Sequence, residues 1–361
     1  MVGAVREVLF ASDESAAIVD RIADPACRIV SFTVTEKGYC RTENGDLDLV
    51  QAEQSFYPLV ARALSIRAEC GLTGITLLSC DNLAENGRVL DRLMRRWLSE
   101  RDPGLLGWYE SHCTTPSSMV DRIVPRATPR DIAALEKKLD ARDEGAVFTE
   151  GFSQWVIEDR FANGRPRWES VGVQMVADVA PYEAAKLRML NGAHSLLAYA
   201  GLEAGYDFVD QAIGNARLYA LCRTLMLDEA CPTIACAPEQ DLEIYAADLL
   251  SRFANPALRH RLAQIAMDGS QKIPQRWLDT VQWHFERGDM TPAISHGFEA
   301  WRHHFTQNEQ VDDPHQDKLI LAAQALGRGT FLDTCFGPAA DDRALWPHYS
   351  ALREAFADPP C

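Results

Sequence analysis

The sequence predicts two domains, an α/β domain over residues 1–180 and a mainly α-helical domain over residues 181–361. In the first part, short β-branched runs alternate with runs of helical spacing, which is typical of a parallel sheet covered by helices. From Tyr182 onward the pattern is almost entirely helical and is interrupted at intervals by proline. A chain of 361 residues is long enough for two domains that each have a core.

Strands are predicted over residues 28–35, 74–80, 117–124 and 171–179. Helices are predicted over residues 56–70, 86–100 and 130–142, and a looser section follows the last of these as far as Arg167. Pro181 begins the first helix of the second domain, with Glu183 in its first turn. Parallel sheets bind ligands outside the carboxyl ends of their strands, and Glu36, Asn82 and Asp121 lie at or near those ends.

The composition excludes some classes of partner. A net charge of −16 leaves no basic surplus for nucleic acid or for an anionic membrane surface. The ten cysteines and the histidines show no metal-ligand spacing, so we expect reduced thiols and no metal site. Apolar runs fall short of the roughly 20 residues that a membrane helix needs. We expect a cytoplasmic monomer that acts on a small molecule.

Residues 186–194 (KLRMLNGAH) place an amine, an amide and an imidazole within nine residues. At about 100° per residue of an α-helix, Asn191 lies roughly 140° and His194 roughly 80° around from Lys186, so all three can face one cleft. Gly192 leaves room there for a ligand or for another backbone. A desolvated lysine can act as a base and an asparagine amide can donate to a developing alkoxide. The segment therefore predicts a site that oxidises an alcohol.

Six segments, in this order along the chain, resemble the long-chain, polyol-specific secondary-alcohol dehydrogenases, the family of mannitol dehydrogenase and fructuronate reductase. Besides 186–194 they are 29–39 (IVSFTVTEKGY), 79–87 (SCDNLAENG), 119–125 (MVDRIVP), 154–159 (QWVIED) and 267–276 (MDGSQKIPQR). The resemblance extends from about residue 20 to the C-terminus and weakens after about residue 300. It implies a Rossmann-like first domain, NAD as the cofactor and a helical domain that binds substrate and carries catalytic residues.

By this resemblance Lys186 is the general base, and Asn191 and Asn82 hold the substrate oxygen as charge develops. His194 would bind a substrate hydroxyl, and Glu183 would relay the proton or neutralise the lysine. Structural alternatives stay open for most of these residues. Lys186 could be a solvated helix lysine, Asn82 could cap the following helix, and His194 could bond to the backbone. Glu183 could serve only the helix dipole.

Glu36 and Asp121 would contact the nicotinamide end of the cofactor, although Asp121 could instead pair with Arg122. The sequence has no Gly-rich turn between a strand and a helix that would receive the pyrophosphate. Members of the resembled family carry such a loop in roughly a further 100 residues ahead of the segment that begins here at Ile29. We therefore expect an incomplete first domain, weak NAD binding and no measurable dehydrogenase activity of this chain.

Lys272 and Arg188 are the predicted substrate contacts. The mannitol-specific pattern has arginine at the position of Gln264, and the sequence here looks more like fructuronate reductase. A guanidinium for a sugar-acid carboxylate could come from Arg188, Arg259, Arg261 or Arg276. We predict interconversion of D-mannonate and D-fructuronate, with a polyol such as mannitol as the alternative. An alternative of another class is an inactive fragment that binds a polyol but not NAD.

Overall fold

The computed structural model describes residues 4–42, 44–308, 310–325, 328–337, 344–346, 349, 352–353 and 356. The chain packs as two compact units, and each is interrupted in sequence. The first unit comprises Met1–Arg122 and Phe152–Ala180, and the second comprises Ile123–Gly151 and Pro181–Cys361. These units differ from the predicted domains in one segment, Ile123–Gly151, which packs with the second unit.

A buried ion pair explains where the segment Ile123–Gly151 packs. The carboxylate of Glu150 accepts two hydrogen bonds from Arg252, at 2.9 and 2.8 Å, and both side chains are buried. The same carboxylate accepts the backbone N–H of Ile123 at 2.6 Å. Both ends of the segment are thereby tied to the second unit, and a buried bidentate pair of this kind is costly to break.

In the first unit the strands are β1 (Ile29–Phe32), β2 (Thr76–Ser79), β3 (Ser118–Asp121), β4 (Gln154–Glu158) and β5 (Gln174–Val176). Its helices are α1 (Ala11–Ala23), α2 (Thr35–Gly38), α3 (Leu49–Ala52), α4 (Phe56–Glu69), α5 (Asn86–Arg101) and α6 (Pro103–His112), with a 3-10 turn at Trp168–Val171. Strand β1 pairs in parallel with β2, and β4 pairs in parallel with β5. Strand β3 pairs with β4 in the antiparallel sense. The strands thus form two sheets, β1–β2 and β3–β4–β5, and the second is mixed. The sequence pattern had indicated a purely parallel sheet.

The differences from the predicted elements have local causes. Strand β4 lies in the section predicted to be loose, because five residues are too few to show a period. Strand β5 is shorter than the predicted 171–179, since the residues before it form the 3-10 turn that Gly172 ends at a φ of 93°. Helices α1 and α6 were not predicted, although Pro103 stands at the first position of α6, where proline is favoured.

Helix α5 is fixed against the sheet by its apolar stripe and by one glycine. Leu90, Leu93, Met94 and Leu98 are buried on one side, as predicted. A Cβ added to Gly87 would come within 2.5 Å of the backbone around Ser117, just before β3. Only glycine allows that approach, and it brings the loop after β2 next to β3.

Arg67 on α4 holds the first unit together from inside. Its guanidinium is fully buried and donates to the carbonyl oxygens of Ile22, Asp24 and Thr73 at 2.7–3.1 Å. The carbonyls of Ile22 and Asp24 belong to the end of α1, where a helix leaves such groups without helical partners. The Arg67 guanidinium therefore supplies hydrogen bonds to the free carbonyl groups at the C-terminus of α1. It also places a positive charge at the negative end of that helix.

We expect Arg67→Met to lower the free energy of unfolding by about 2–4 kcal/mol, because several buried carbonyl groups lose their donor at once. Urea denaturation of the full chain measures this change. Arg62→Met on the same helix is the matched control, since that side chain is exposed and its loss should cost less than about 0.5 kcal/mol. Equal effects of the two substitutions would contradict a structural role for Arg67.

The helices of the second unit are α7 (Pro129–Leu139), α8 (Ala180–Ala185), α9 (Gly192–Glu203), α10 (Val209–Ile213), α11 (Ala216–Thr224), α12 (Leu242–Phe253), α13 (Leu262–Ala266), α14 (Gly269–Ile273), α15 (Asp279–Phe285), α16 (Pro292–Gln307), α17 (Gln316–Gln324) and α18 (Arg328–Phe336). Three π-helices, Lys186–Asn191, Leu225–Ala230 and Pro274–Leu278, and a 3-10 turn at Cys231–Thr233 lie between them. Helix α9 is buried from Gly192 to Gly201 and packs against α13 and α16. Within the described residues, no helix combines the length and apolar character needed to cross a membrane.

Candidate active site

The carboxyl ends of β1 and β2 are joined by the buried side chain of Asp81. Its carboxylate accepts the backbone N–H groups of Val34 and Thr35, at 3.1 and 2.8 Å, and the hydroxyl of Tyr39 at 2.9 Å. Thr35 has a φ of 62°, a left-handed conformation that β-branched residues rarely adopt. Asp81 thus holds a strained turn at the edge of the sheet where ligands of such folds bind.

Glu36 follows this turn on α2, and its side chain is exposed. It lines a cavity of about 380 Å³ with Lys37, Arg41, Thr42, Gly45 and Gln51. Two cations and several polar groups therefore surround a concave surface at the carboxyl end of β1. This is a chemically suitable place for a polar, anionic part of a ligand.

Asn82 is exposed on the loop after β2, and that loop is anchored by the buried amide of Asn86. Asn86 donates to the carbonyls of Asp81 and Ser118, at 3.0 and 2.7 Å, and accepts the N–H of Ser118 at 2.9 Å. Glu85 stands at the N-cap position of α5 and makes no side-chain capping bond, and a capping role of Asn82 in this loop stays an alternative. Asp121 is buried at the end of β3, opposite Gln154 of β4.

A second cavity of the first unit, of about 910 Å³, does not involve the predicted site residues. It is lined by charged side chains that pair with one another, including Arg95 with Asp91 at 2.6 Å and with Glu110. Since these cations already have carboxylate partners, the cavity offers a ligand little unbalanced charge.

In the second unit, Lys186–Asn191 is a π-helix between α8 and α9 rather than the predicted α-helix. A π-turn joins residues i and i+5, which is the spacing of Lys186 and Asn191. The π-helical spacing brings these two positions nearer to one face of the helix than α-helical spacing, which would place them about 140° apart. The angle between the positions of the amine and the amide is thus smaller in this π-helix than in the predicted α-helix.

The predicted catalytic residues of this part of the chain are largely buried. Lys186 and Asn191 are each 9% exposed and His194 is 6% exposed, while Glu183 on α8 is half-buried. A solvated helix lysine would be far more exposed, so this alternative for Lys186 is excluded by the structure.

The three π-helices meet, since Lys186–Asn191 packs against both of the others. The indole Nε1 of Trp277 donates to the carbonyl of Gly192 at 3.1 Å. A Cβ on Gly192 would lie 3.4 Å from the carbonyl oxygen of Arg276 and 3.4 Å from the Leu225 side chain. Gly192 therefore borders another backbone, which is one of the two uses predicted for it.

Arg276 brings a guanidinium next to the start of α9. Its Nη1 donates to the hydroxyl of the buried Ser195 at 2.7 Å, one residue beyond His194. Among the described residues no carboxylate lies within ion-pair distance of it. Burial lowers the pKa of Arg276 to about 10, which still leaves the group charged at pH 7. A half-buried cation without a carboxylate can accommodate an anionic ligand.

The two predicted substrate contacts, Lys272 and Arg188, have hydrogen-bond partners inside the second unit. Lys272 donates to the carbonyl of Met267 at 2.5 Å, and burial, with Arg276 nearby, lowers the pKa of Lys272. Arg188 donates to the carbonyl and hydroxyl oxygens of Thr233, both at 2.8 Å, and lies 3.6 Å from a carboxylate oxygen of Asp279. Both substrate roles stay predictions, and Arg188 has less unbalanced charge to offer than Arg276.

The imidazole of His194 stacks on Phe253, with ring centroids 4.5 Å apart, and lies 5.5 Å from the ring of His260. Burial, with the nearby His260, Arg276 and Arg252, lowers the pKa of His194 well below its usual value. The ring is therefore neutral at pH 7. Its Nε2 has no hydrogen-bond partner among the described residues, so the predicted backbone bond is not made by this nitrogen.

Glu229 on the second π-helix is a buried carboxylate that the sequence did not single out. Its oxygens accept the N–H groups of Ala293 and Ile294, at 2.6 and 3.0 Å, at the start of α16. Burial raises the pKa of Glu229 to about 7, with the charge of Asp228 adding to the effect. The backbone carbonyl of Glu229 also bonds to Nε2 of the buried His284 at 2.8 Å.

A raised pKa in the folded state makes stability fall as pH rises through that value. We expect Glu229 to cost the fold about 3 kcal/mol at pH 8 relative to pH 4.5, because each unit of pKa shift corresponds to about 1.4 kcal/mol. Glu229→Gln should remove this component of the pH dependence in denaturation curves. Glu243→Gln, at an exposed position of α12, should leave it unchanged. Parallel pH profiles for wild type and Glu229→Gln would contradict the assignment.

Two family descriptions match nearly the whole chain. The mannitol dehydrogenase Rossmann domain matches residues 1–170, and the mannitol dehydrogenase C-terminal domain matches residues 178–328. The chain belongs to the mannitol dehydrogenase family. Because the Rossmann match begins at residue 1, it does not support the expectation that about 100 residues of that domain are missing. The predicted lack of activity rests on that expectation and stays untested.

Relatives within the mannitol dehydrogenase family carry several activities in their names. The chain is 43% identical to D-mannonate oxidoreductase of Escherichia coli K12 over 83% of its length, and the match spans 65% of that protein. It is 39% identical to D-arabinitol 4-dehydrogenase of Ralstonia nicotianae over 82% of its length and 67% of that protein. The fold is similar to Pseudomonas fluorescens mannitol 2-dehydrogenase in ternary complex with NAD and D-mannitol. That structure is 30% identical with a TM-score of 0.80, over 98% of this chain and 75% of the other.

Proposed function

We propose that the protein is a NAD-dependent secondary-alcohol dehydrogenase that interconverts D-mannonate and D-fructuronate. The observation that carries the proposal is the π-helix Lys186–Asn191, which has a buried amine at its first position and a buried amide at its last. Residues 1–180 would bind the cofactor and residues 181–361 would bind and orient the substrate. The 43% identity to a D-mannonate oxidoreductase supports the choice of substrate.

In the oxidative direction, the neutral amine of Lys186 takes the proton of the substrate hydroxyl. NAD bound to the first unit would supply the hydride acceptor for the carbinol carbon. The Asn191 amide donates a hydrogen bond to the oxygen as negative charge develops, and Asn82 is the proposed second donor. Glu183, three residues before Lys186, would pass the proton on from the resulting ammonium or neutralise its charge. His194 would hold a neighbouring hydroxyl.

The cofactor is NAD. The match to a Rossmann domain and the similarity to a structure solved with NAD support it. The first unit fits such a group at the carboxyl end of β1. There Asp81 holds Thr35 in its strained conformation, and Lys37 and Arg41 line the 380 Å³ cavity. Glu36 and Asp121 remain the proposed contacts of the nicotinamide end.

The substrate class rests on Arg276. A neutral polyol would leave the charge of a half-buried guanidinium without compensation, whereas the carboxylate of a sugar acid would pair with it. Arg259 and Arg261 are exposed and lie over the ring of Phe208, at 4.0 and 5.1 Å, where water screens them. Arg276 therefore replaces Arg188 as the preferred carboxylate contact.

We expect Arg276→Met to lower kcat/KM for D-fructuronate by about 10–150-fold, the effect of losing a charged hydrogen bond of about 1.5–3 kcal/mol. The assay follows oxidation of NADH by the full chain with D-fructuronate and, separately, with D-fructose. Activity with fructose should change less than about threefold, and Arg261→Met should change neither.

A neutral polyol is the second candidate, favoured by the similarity to mannitol 2-dehydrogenase and to D-sorbitol dehydrogenase, the latter with a TM-score of 0.87. The same assay decides between them. A higher kcat/KM for fructose than for fructuronate in the wild type would contradict the sugar-acid proposal. Equal losses with both substrates in Arg276→Met would reassign that residue to structure.

A further inference from the structure

A small cavity of about 10 Å³ lies beside His194 in the second unit. Its lining includes His194, Asp210, Arg252, Phe253 and His260. A single water needs roughly 10–15 Å³ and two to four polar partners. The volume is therefore suited to one water and too small for a substrate.

Three polar atoms on this cavity's lining residues are buried and lack a partner among the described residues. They are Nε2 of His194, Nδ1 of His260 and Oδ1 of Asp210. Buried polar atoms are nearly always hydrogen-bonded, and an unmade bond costs about 1–3 kcal/mol each. Three such atoms on the lining of one cavity point to a shared partner rather than to three separate defects.

The backbone places these residues together. Phe208 pairs with Arg261 as an antiparallel bridge, and the N–H of Val209 donates to the carbonyl of His260 at 3.0 Å. This pairing holds His260 against the start of α10, which carries Asp210. The rings of His194 and His260 meet nearly at right angles, at 87°. Backbone contacts therefore fix the relative position of His260 and the start of α10.

We propose that this cavity holds one structural water that bonds to His194, His260 and Asp210 and thereby sets the tautomer of His194. A carboxylate oxygen only accepts, so one hydrogen of the water goes to Asp210. One hydrogen then remains for two imidazole nitrogens. Both histidines cannot accept from the water, and at least one of them must present an N–H to it. The tautomers of the two rings are consequently coupled.

Burial keeps both rings neutral, as the coupling requires. Burial lowers the pKa of His260, as it does that of His194. Arg252 also lines the cavity, and its bidentate pair with Glu150 holds it in place. A neutral imidazole that gives its Nε2–H to the water keeps a lone pair on Nδ1, which can accept from a donor such as a sugar hydroxyl. Asp210 and His260 are thus positioning residues for His194.

The water and the tautomer are testable without substrate. A crystal structure of the full chain should show one water within about 3.2 Å of the three atoms. In protein labelled with ¹⁵N-histidine, the ratio of the two neutral His194 tautomers should change at least about fivefold in His260→Phe, the equivalent of one ordinary hydrogen bond. His303→Phe is the matched control, since His303 bonds to Glu203 on the partly exposed side of α16. Asp210→Asn, which conserves shape, provides the same measurement if His260→Phe does not fold.

A dry cavity, or a His194 tautomer ratio unchanged in both variants, would overturn the proposal. The part played in substrate binding rests on the proposed function. It predicts that His260→Phe raises KM about 5–50-fold with a smaller change in kcat. An unchanged KM together with a changed tautomer ratio would overturn that part alone. Absence of any dehydrogenase activity in the wild type would count against the proposed function and leave the water intact.

Discussion

Lys186→Met is expected to lower kcat by about 10²–10⁴, the usual contribution of a positioned general base. Methionine fills a similar volume in the buried π-helix, so the fold should be kept while the proton acceptor is lost. The pH profile of kcat should also lose the ionisation that belongs to the base. Steady-state kinetics of NADH formation from D-mannonate between pH 6 and 10 measure both effects.

Two controls distinguish the loss of the proton acceptor from the loss of a positive charge and from a general effect of removing a lysine. Lys186→Arg keeps a cation that does not give up its proton, so it should be as inactive as the methionine variant. Lys137→Ala on α7 removes an exposed lysine and should leave turnover unchanged. Turnover of Lys186→Met within a factor of two of wild type would remove this lysine from the mechanism.

Asn191→Ala is expected to lower kcat by about 10²–10³, because one preorganised donor to the developing alkoxide is lost. The effect should fall on kcat more than on KM, since the bond strengthens as charge develops. Asn82→Ala should behave in the same way if the two amides share the oxygen. Asn308→Ala, an exposed asparagine after α16, is the control for the removal of an amide.

A structural role would give a different result. If either asparagine variant kept full activity and lost melting temperature, that residue would be reassigned to packing or loop anchoring. Asn86 is the reference for such an effect, because its amide bonds to Asp81 and Ser118 and is fully buried.

The predictions with which the structure agrees were made from short-range sequence patterns. The apolar stripe of α5 and the β-branched runs of β1 and β2 are visible within about four to sixteen residues. The grouping of an amine, an amide and an imidazole in residues 186–194 is equally local. Family resemblance then assigned roles that spacing alone leaves open.

Features that depend on distant partners were not predictable. The π-turn at Lys186–Asn191 is packed against Trp277, whose indole bonds to Gly192 from 85 residues away. The side chain of Asp81 bonds to Val34 and Thr35, 46–47 residues earlier, and no local pattern indicates these bonds. The water-sized cavity needs His194, Asp210 and His260 together, and no local pattern connects them.

The ion pair between Glu150 and Arg252 also orders events during synthesis. The two residues are 102 positions apart, so a ribosome adding about 5–20 residues per second makes the arginine roughly 5–20 s after the glutamate. During this interval the first unit can close around β3, β4 and β5 once Ala180 is made, while Ile123–Gly151 still lacks its docking surface. We expect nascent chains stalled before Arg252 to be cut by protease within residues 123–151, and chains stalled well after it to resist. The segment Ile123–Gly151 is therefore expected to dock late, after the part of the second unit that contains Arg252 has been synthesised.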